Sequence, residues 1–139
     1  MSEAKSRVTE GKSRLMSGIK YQKILPYLPS LVWMAFIFFL SSQQTVGIGT
    51  TKIDRFLILK SFHLIEYCLL FLFLYFAFRQ TPKSALFTYL YALSDELHQH
   101  FVPGREGKFV DTFIDLLGIA MGIFLVNKLI KISFIKKSL

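Results

Sequence analysis

Long uncharged apolar runs restrict this chain more than any other feature. From Ile24 to Leu40 there are 17 consecutive residues without a charge, and the run FLFLYFAF over 71–78 has no polar face. A helix that is apolar on every side needs lipid or a large protein core around it. Because a chain of 139 residues cannot build such a core around several helices, the sequence predicts an all-α, polytopic membrane protein.

Four helices are predicted, at about 24–41, 61–78, 84–99 and 109–130. The connections between them are short, so neighbouring helices are expected to run antiparallel in a four-transmembrane-helix bundle. The expected organisation is a basic leader over 1–23, a membrane domain over 24–130 and a basic tail over 131–139. The leader is long and no A-x-A cleavage motif follows the first apolar run, which favours an uncleaved first helix over a signal peptide.

Charge predicts the orientation of this bundle. The formal net charge is +8, but the basic residues flank the apolar segments instead of lining one surface, so nucleic acid is not an expected partner. Twelve of the 17 Lys and Arg residues lie in the leader, the second connection and the C-terminal segment from Lys128 onward, against five in the other two connections. The positive-inside rule then places both termini in the cytoplasm. The single cysteine, Cys68, excludes a disulfide framework.

The last three apolar segments are too short to cross a bilayer by themselves. Their uncharged runs have 12, 11 and 12 residues, or ~18 Å of helix against ~30 Å of hydrocarbon. To cross, they must draw neighbouring ionisable residues into the membrane, where such residues usually face the bundle interior and serve function. We expect the following ionisable residues to gather near the outer face, beside Ser41, Ser42 and Gln43 at the end of the first helix: His63, Glu66, Asp95, Glu96, His98, Asp111 and Asp115.

Two groups of these residues have helical spacing. His63, Glu66 and Tyr67 share one face of the second helix, either as a proton-handling or ligand-binding group or as a first turn with an acid at the positive end of the helix dipole. Asp95 and Glu96 lie at the end of the third helix, where an acid opposes the dipole, so a functional role is favoured. Spacing predicts that Asp95 reaches His98 and Gln99, and that Glu96 reaches His100.

The remaining signals concern turns, packing and metal ions. Pro103-Gly104 predicts a turn, after which Arg105 can bind an anionic group or remain solvated. Gly118 and Gly122 predict close packing of the fourth helix, with Asp111 and Asp115 on the same stripe. Several His and carboxylate side chains could ligate a divalent ion, but no dense motif such as H-E-x-x-H occurs. We therefore expect no metal site and no cofactor.

Together these motifs resemble those of the VanZ-like family. The matching parts are Ser-Ser-Gln over 41–43, His63 with Tyr67, the block D-E-x-H-Q-x-F-x-P-G-R over 95–105, and D-x-x-x-D-x-x-G-x-x-x-G over 111–122. One departure is Asp115, where the family pattern usually has Asn. The resemblance implies a bacterial integral protein of the inner (plasma) membrane. Its founding member is associated with low-level resistance to teicoplanin, a lipid-tailed glycopeptide.

Three functional hypotheses follow. The first is binding or modification of an envelope lipid or glycopeptide at the outer leaflet, with membrane lipids, a lipid-linked cell-wall precursor or a lipoglycopeptide as partner. In this hypothesis Arg105 binds an anionic group, while Ser42, Gln43 and Gln99 form hydrogen bonds.

The second hypothesis is a membrane-embedded hydrolase or transferase acting on a lipid headgroup. Its general base is His98 or His63, oriented by Asp95 or Glu66, and it activates water. The third is a proton-coupled carrier, because intramembrane carboxylates and imidazoles can relay protons. Four helices are few for a carrier, so that hypothesis requires an oligomer.

Overall fold

The computed structural model describes residues 24–44, 49–105 and 111–137. Within these ranges the chain forms helices and no strand, which confirms the predicted all-α class. The predicted leader over 1–23 and residues 138–139 of the tail lie outside the described residues. In the described ranges, a short 3-10 turn at Leu25–Tyr27 precedes four α-helices: α1 Leu28–Ser41, α2 Lys52–Phe78, α3 Thr81–His100 and α4 Asp111–Lys137.

Helix α2 begins at Lys52 rather than near residue 61 because Thr51 forms a capping box with Asp54. The Thr51 hydroxyl accepts a hydrogen bond from the Asp54 backbone N–H (3.1 Å), and the Asp54 carboxylate accepts one from the Thr51 N–H (3.0 Å). His63 and Glu66 consequently lie about three turns inside α2. Their interpretation as first-turn residues next to the helix dipole is therefore wrong.

Proline and glycine define the ends of α3. Pro82 lies in its first turn, where a missing N–H costs nothing. After His100 the chain turns through Pro103 and Gly104, and Gly104 has a φ of +81°, which glycine adopts without strain. The predicted Pro-Gly turn is thus confirmed, and it returns the chain to the end of the bundle at which α4 begins.

Helix α2 is the central helix and packs against α1, α3 and α4. The closest approach is to α4, where a Cβ at Gly118 would lie 2.6 Å from the backbone oxygen of Leu64. A Cβ at Gly122 would lie 2.6 Å from the Phe71 ring. Only glycine permits this separation, so the predicted packing role of both glycines is confirmed.

The outer surface of the bundle is strongly apolar. Exposed large side chains occur on every helix, for example Phe39 (59% exposed), Phe76 (53%), Phe87 (46%) and Phe124 (64%). Among the described residues, two helical segments are long and apolar enough to cross a membrane, namely Lys52–Phe78 and Asp111–Ser133. The segment Leu25–Ser41 is apolar but shorter, and helix α3 is not among the segments that are both long and apolar enough.

Candidate functional site

Polar and ionisable side chains from all four helices are buried together at one end of the bundle. The C-terminal ends of α1 and α3, the middle of α2 and the N-terminal turns of α4 meet there. The buried polar residues at this end are Ser41, His63, Glu66, Asp95, Glu96, Gln99, Asp111, Thr112 and Asp115. Tyr67, also fully buried, adds its hydroxyl. Burying so many polar groups is costly unless they bind one another, so their contacts define the site.

Asp95 is the centre of the first group of contacts. Its Oδ2 atom accepts hydrogen bonds from the Ser41 hydroxyl (2.9 Å), the Tyr67 hydroxyl (3.0 Å) and the Gln99 amide (2.8 Å). The Gln99 amide also donates to the Ser41 hydroxyl (3.1 Å). One carboxylate oxygen thereby joins α1, α2 and α3 through donors that are themselves buried. We call these four side chains the Asp95 network.

A second group lies one turn earlier along α2 than Tyr67, and we call it the His63 cluster. It consists of His63 from α2, Glu96 from α3 and Asp115 from α4, all buried. The His63 Nδ1 atom is 3.1 Å from Asp115 Oδ1 and 4.0 Å from Glu96 Oε1. Each residue offers one nitrogen or oxygen atom, and these three atoms lie within 4.8 Å of one another. Such an arrangement can share protons or ligate a cation.

Other predicted site residues lie at the edge of these groups. His98 stacks on Phe38 with ring centroids 4.2 Å apart, and its Nε2 atom is 3.0 Å from the Ser42 hydroxyl, so its polar contact is Ser42 rather than Asp95. Asp111 forms an ion pair with Lys60 of α2. His100 is exposed and its ring lies against Phe101.

Arg105 closes the same end of the bundle from the loop after α3. Its Nε–H donates to the backbone oxygen of Gln43 (3.0 Å) and its Nη2 group to that of Leu40 (2.9 Å). Both carbonyls lie at the C-terminal end of α1, where backbone oxygens attract a cation; the Leu40 oxygen also accepts a hydrogen bond from the Gln43 N–H (3.1 Å). Burial lowers the pKa of Arg105, while nearby carboxylates, Asp95 first, oppose that shift. The two hydrogen bonds to α1 fix the guanidinium in position beside the Asp95 network and the His63 cluster.

A cavity of about 190 Å³ opens between α1 and α2 next to Arg105. His63 and Glu66 form part of its wall, together with Gln43. Glu66 is held in place through its backbone, whose oxygen accepts a hydrogen bond from the Trp33 indole (3.0 Å). The apolar residues that line the cavity are Leu40, Leu59 and Phe62. The cavity thus offers a cation, a carboxylate and an imidazole beside a hydrocarbon surface.

The candidate residues fall into two sets: those that line the cavity and those that bind one another in the interior of the bundle. His63, Glu66, Gln43 and Arg105 reach the cavity. Asp95, Tyr67 and Gln99 bind one another in the interior, where they position the helices. Sequence patterns did not indicate that Lys60 pairs with Asp111, or that Trp33 and Tyr91 attach α1 to its neighbours. No local spacing signals such pairs, because their partners lie on different helices.

Comparison with known families agrees with this architecture. The family described as VanZ/LLP1 matches residues 27–131, a range that contains all the side chains of the site. Curated proteins and solved structures gave no match. Together with the two long apolar helices, the match indicates a membrane protein. Since the matched range covers most of the 139 residues, the chain belongs to the VanZ/LLP1 family.

Proposed function

We propose that this protein is a multi-pass protein of the bacterial cell membrane that binds the anionic headgroup of an envelope lipid beside Arg105. The observation that carries the proposal is the cavity between α1 and α2, which joins a fixed guanidinium to an apolar wall. A membrane lipid, a lipid-linked cell-wall precursor and a lipoglycopeptide all combine a polar head with a hydrocarbon tail. The lining of the cavity likewise combines charged and polar side chains with apolar ones.

The proposed membrane arrangement has four spans. At ~1.5 Å per residue, the segment Leu25–Ser41 is ~26 Å long and Thr81–His100 is ~30 Å long. Both lengths approach the ~30 Å of a hydrocarbon layer, and both segments carry exposed apolar side chains such as Phe39 and Phe87. The distribution of Lys and Arg favours cytoplasmic termini, so the site faces the outer leaflet.

Headgroup binding is favoured by the chemistry of Arg105. A guanidinium has five N–H donors in a planar fork, and two of its nitrogens donate to the carbonyls of Leu40 and Gln43. Donors remain for a phosphate or carboxylate oxygen in the cavity. Phe62, on the apolar wall, is 53% exposed, which gives an acyl chain a surface to contact.

A second candidate function is hydrolysis or transfer at the bound headgroup. The observation that favours it is the position of His63, which lines the cavity while its Nδ1 atom lies 3.1 Å from Asp115. A carboxylate orients an imidazole in this way in many general bases. In this scheme His63 accepts a proton from water as the water oxygen bonds to the headgroup phosphorus. The phosphoester bond to the leaving alcohol breaks, and the imidazolium returns the proton to that alkoxide. The partner of the imidazole is then Asp115 and not Glu66.

The headgroup proposal is tested by native mass spectrometry of the purified protein with phosphatidylglycerol and, separately, phosphatidylcholine. We expect the wild type to retain more phosphatidylglycerol than phosphatidylcholine. In Arg105→Gln we expect the ratio of the two retained lipids to fall at least fivefold. Lys83→Gln is the matched control, because Lys83 is exposed at the opposite end of the bundle. Equal retention of phosphatidylglycerol by wild type and Arg105→Gln would contradict the proposal.

Because Arg105 also binds the end of α1, folding must be checked in the same preparations. Arg105→Lys keeps the charge but loses the planar fork, and we expect it to bind phosphatidylglycerol with intermediate retention. Thermal unfolding of each variant in detergent separates a loss of headgroup contact from a loss of helix packing. The proposal is supported if a variant unfolds at the same temperature as the wild type but no longer prefers phosphatidylglycerol to phosphatidylcholine.

A further inference from the structure

We propose that His63, Glu96 and Asp115 bind one divalent transition-metal ion, with Zn²⁺ as the best-fitting ion, beside the cavity. This site is separate from headgroup binding by Arg105 and does not depend on it. Three helices contribute one ligand each, so the ion would join α2, α3 and α4.

The distances within the His63 cluster suit a metal ion. His63 Nδ1 lies 3.1 Å from Asp115 Oδ1 and 4.0 Å from Glu96 Oε1. Tetrahedral Zn²⁺ with bonds of ~2.0–2.2 Å separates neighbouring ligand atoms by ~3.3–3.5 Å. The first distance is slightly shorter and the second slightly longer than this separation. All three ligand atoms lie within 4.8 Å of one another, so rotations of the two carboxylates about their side-chain bonds would bring them to one ion.

Burial and charge at the cluster also point to a cation. Asp115 is fully buried, Glu96 is 3% exposed and His63 is 6% exposed. Buried carboxylates require a positive partner or a proton. Among the described residues, the basic side chains next to this end of the bundle bind elsewhere, since Lys60 pairs with Asp111 and Arg105 binds backbone carbonyls. One imidazole thus faces two carboxylates.

The hydrogen bonding of Asp115 is an independent indication. Its Oδ1 atom contacts His63, but its Oδ2 atom has no hydrogen-bond partner among the described residues, although it is completely inaccessible to solvent. Buried carboxylate oxygens are almost always satisfied by a donor or a cation. An ion in the His63 cluster would satisfy this carboxylate.

The ligand types select the ion. One imidazole nitrogen with two carboxylate oxygens suits Zn²⁺, and Mn²⁺ less well because it favours a larger number of oxygen ligands. Of the three ligands, His63 also lines the cavity and so connects the cluster to it. Zinc sites with three protein ligands and one open position bind water or substrate there. A water molecule or a headgroup oxygen is the expected fourth ligand.

Metal content of the full-length protein tests the proposal. The protein is purified in detergent with a tag that contains no histidine, treated with chelator, incubated with Zn²⁺ and analysed for bound metal by mass spectrometry. We expect one Zn²⁺ per chain in the wild type. In Asp115→Asn and His63→Ala we expect at least a tenfold loss of affinity. His100→Ala is the matched control, because His100 is exposed and lies outside the cluster.

A second measurement keeps the test informative if His63→Ala unfolds. Co²⁺ in a tetrahedral His–carboxylate site gives visible absorption bands, which we expect in the wild type and in His100→Ala, and not in the nearly isosteric Asp115→Asn. Wild-type protein that binds no more Zn²⁺ than Asp115→Asn would overturn the proposal. Binding of Mn²⁺ without Zn²⁺ would overturn the choice of ion. Arg105→Gln should retain Zn²⁺, which distinguishes this test from that of headgroup binding.

Discussion

Replacing Asp95 by alanine tests whether the Asp95 network holds the helices together. The substitution removes one acceptor that Ser41, Tyr67 and Gln99 share at 2.9, 3.0 and 2.8 Å. Gln99 keeps the Ser41 hydroxyl as an acceptor at 3.1 Å. The Ser41 and Tyr67 hydroxyls lose the acceptor to which they donate, and both side chains are buried. The cost therefore arises mainly from two hydrogen bonds between helices.

The expected magnitude follows from the membrane setting. Hydrogen bonds between transmembrane helices contribute ~0.6 kcal/mol on average and up to ~1.7 kcal/mol each. Loss of two such bonds lowers the free energy of unfolding by about 1 to 3 kcal/mol. Tyr67→Phe removes one of them and should cost about 0.6 to 1.7 kcal/mol. In the Asp95→Ala background the same Tyr67→Phe change should cost almost nothing, because the acceptor is already absent.

The assay is reversible unfolding in mixed detergent, with the free energy of unfolding measured for the two single variants and the double variant. Ser94→Ala is the matched control, since Ser94 is exposed, is adjacent to Asp95 and bonds only within its own helix to the oxygen of Tyr91. We expect the control to remain within ~0.5 kcal/mol of wild type. Additive losses in the double variant would refute the shared-acceptor interpretation.

Three further predictions concern packing, topology and phenotype. Gly118→Ala places a methyl group 2.6 Å from an α2 backbone oxygen, so it should lower the free energy of unfolding by about 1–3 kcal/mol, whereas Ala120→Ser on the exposed face should not. In a chain with Cys68 replaced by serine, a cysteine at Pro103 should react with an impermeant thiol reagent added to intact cells, and reaction only after lysis would reverse the proposed orientation. Expression should raise the inhibitory concentration of teicoplanin, and Arg105→Gln at equal expression should abolish that increase; an unchanged increase would contradict a role for the cavity.

The sequence predicted features that depend on neighbours along the chain. The Pro-Gly turn after α3 and the Asp95–Gln99 contact at i, i+4 are local consequences of backbone geometry and helical spacing. The close packing at Gly118 followed from small residues on one stripe. These predictions succeeded because each needs only the helical repeat and the conformational range of the residues concerned.

Features that depend on other helices were not predictable in the same way. His63 contacts Asp115, which is 52 residues away, rather than its helical neighbour Glu66. His98 contacts Ser42, 56 residues away, rather than Asp95. The predicted start of α2 near residue 61 was too late, because the capping box at Thr51 begins the helix at Lys52. The rotation of each helix about its axis within the bundle determines these partners. This rotation cannot be read from the spacing of residues along one helix.

The adjacent acids Asp95 and Glu96 explain how one short segment serves both parts of the site. Consecutive residues on a helix point about 100° apart, so the two carboxylates of α3 face different neighbours. Asp95 binds donors from α1 and α2, while Glu96 approaches His63 and the α4 side of the bundle. The last turn of α3 is thereby fixed against all three other helices, and the loop that carries Arg105 follows directly from it. A change at Asp95 should therefore alter the cavity only by moving helices, whereas a change at Glu96 should alter the chemistry of the His63 cluster.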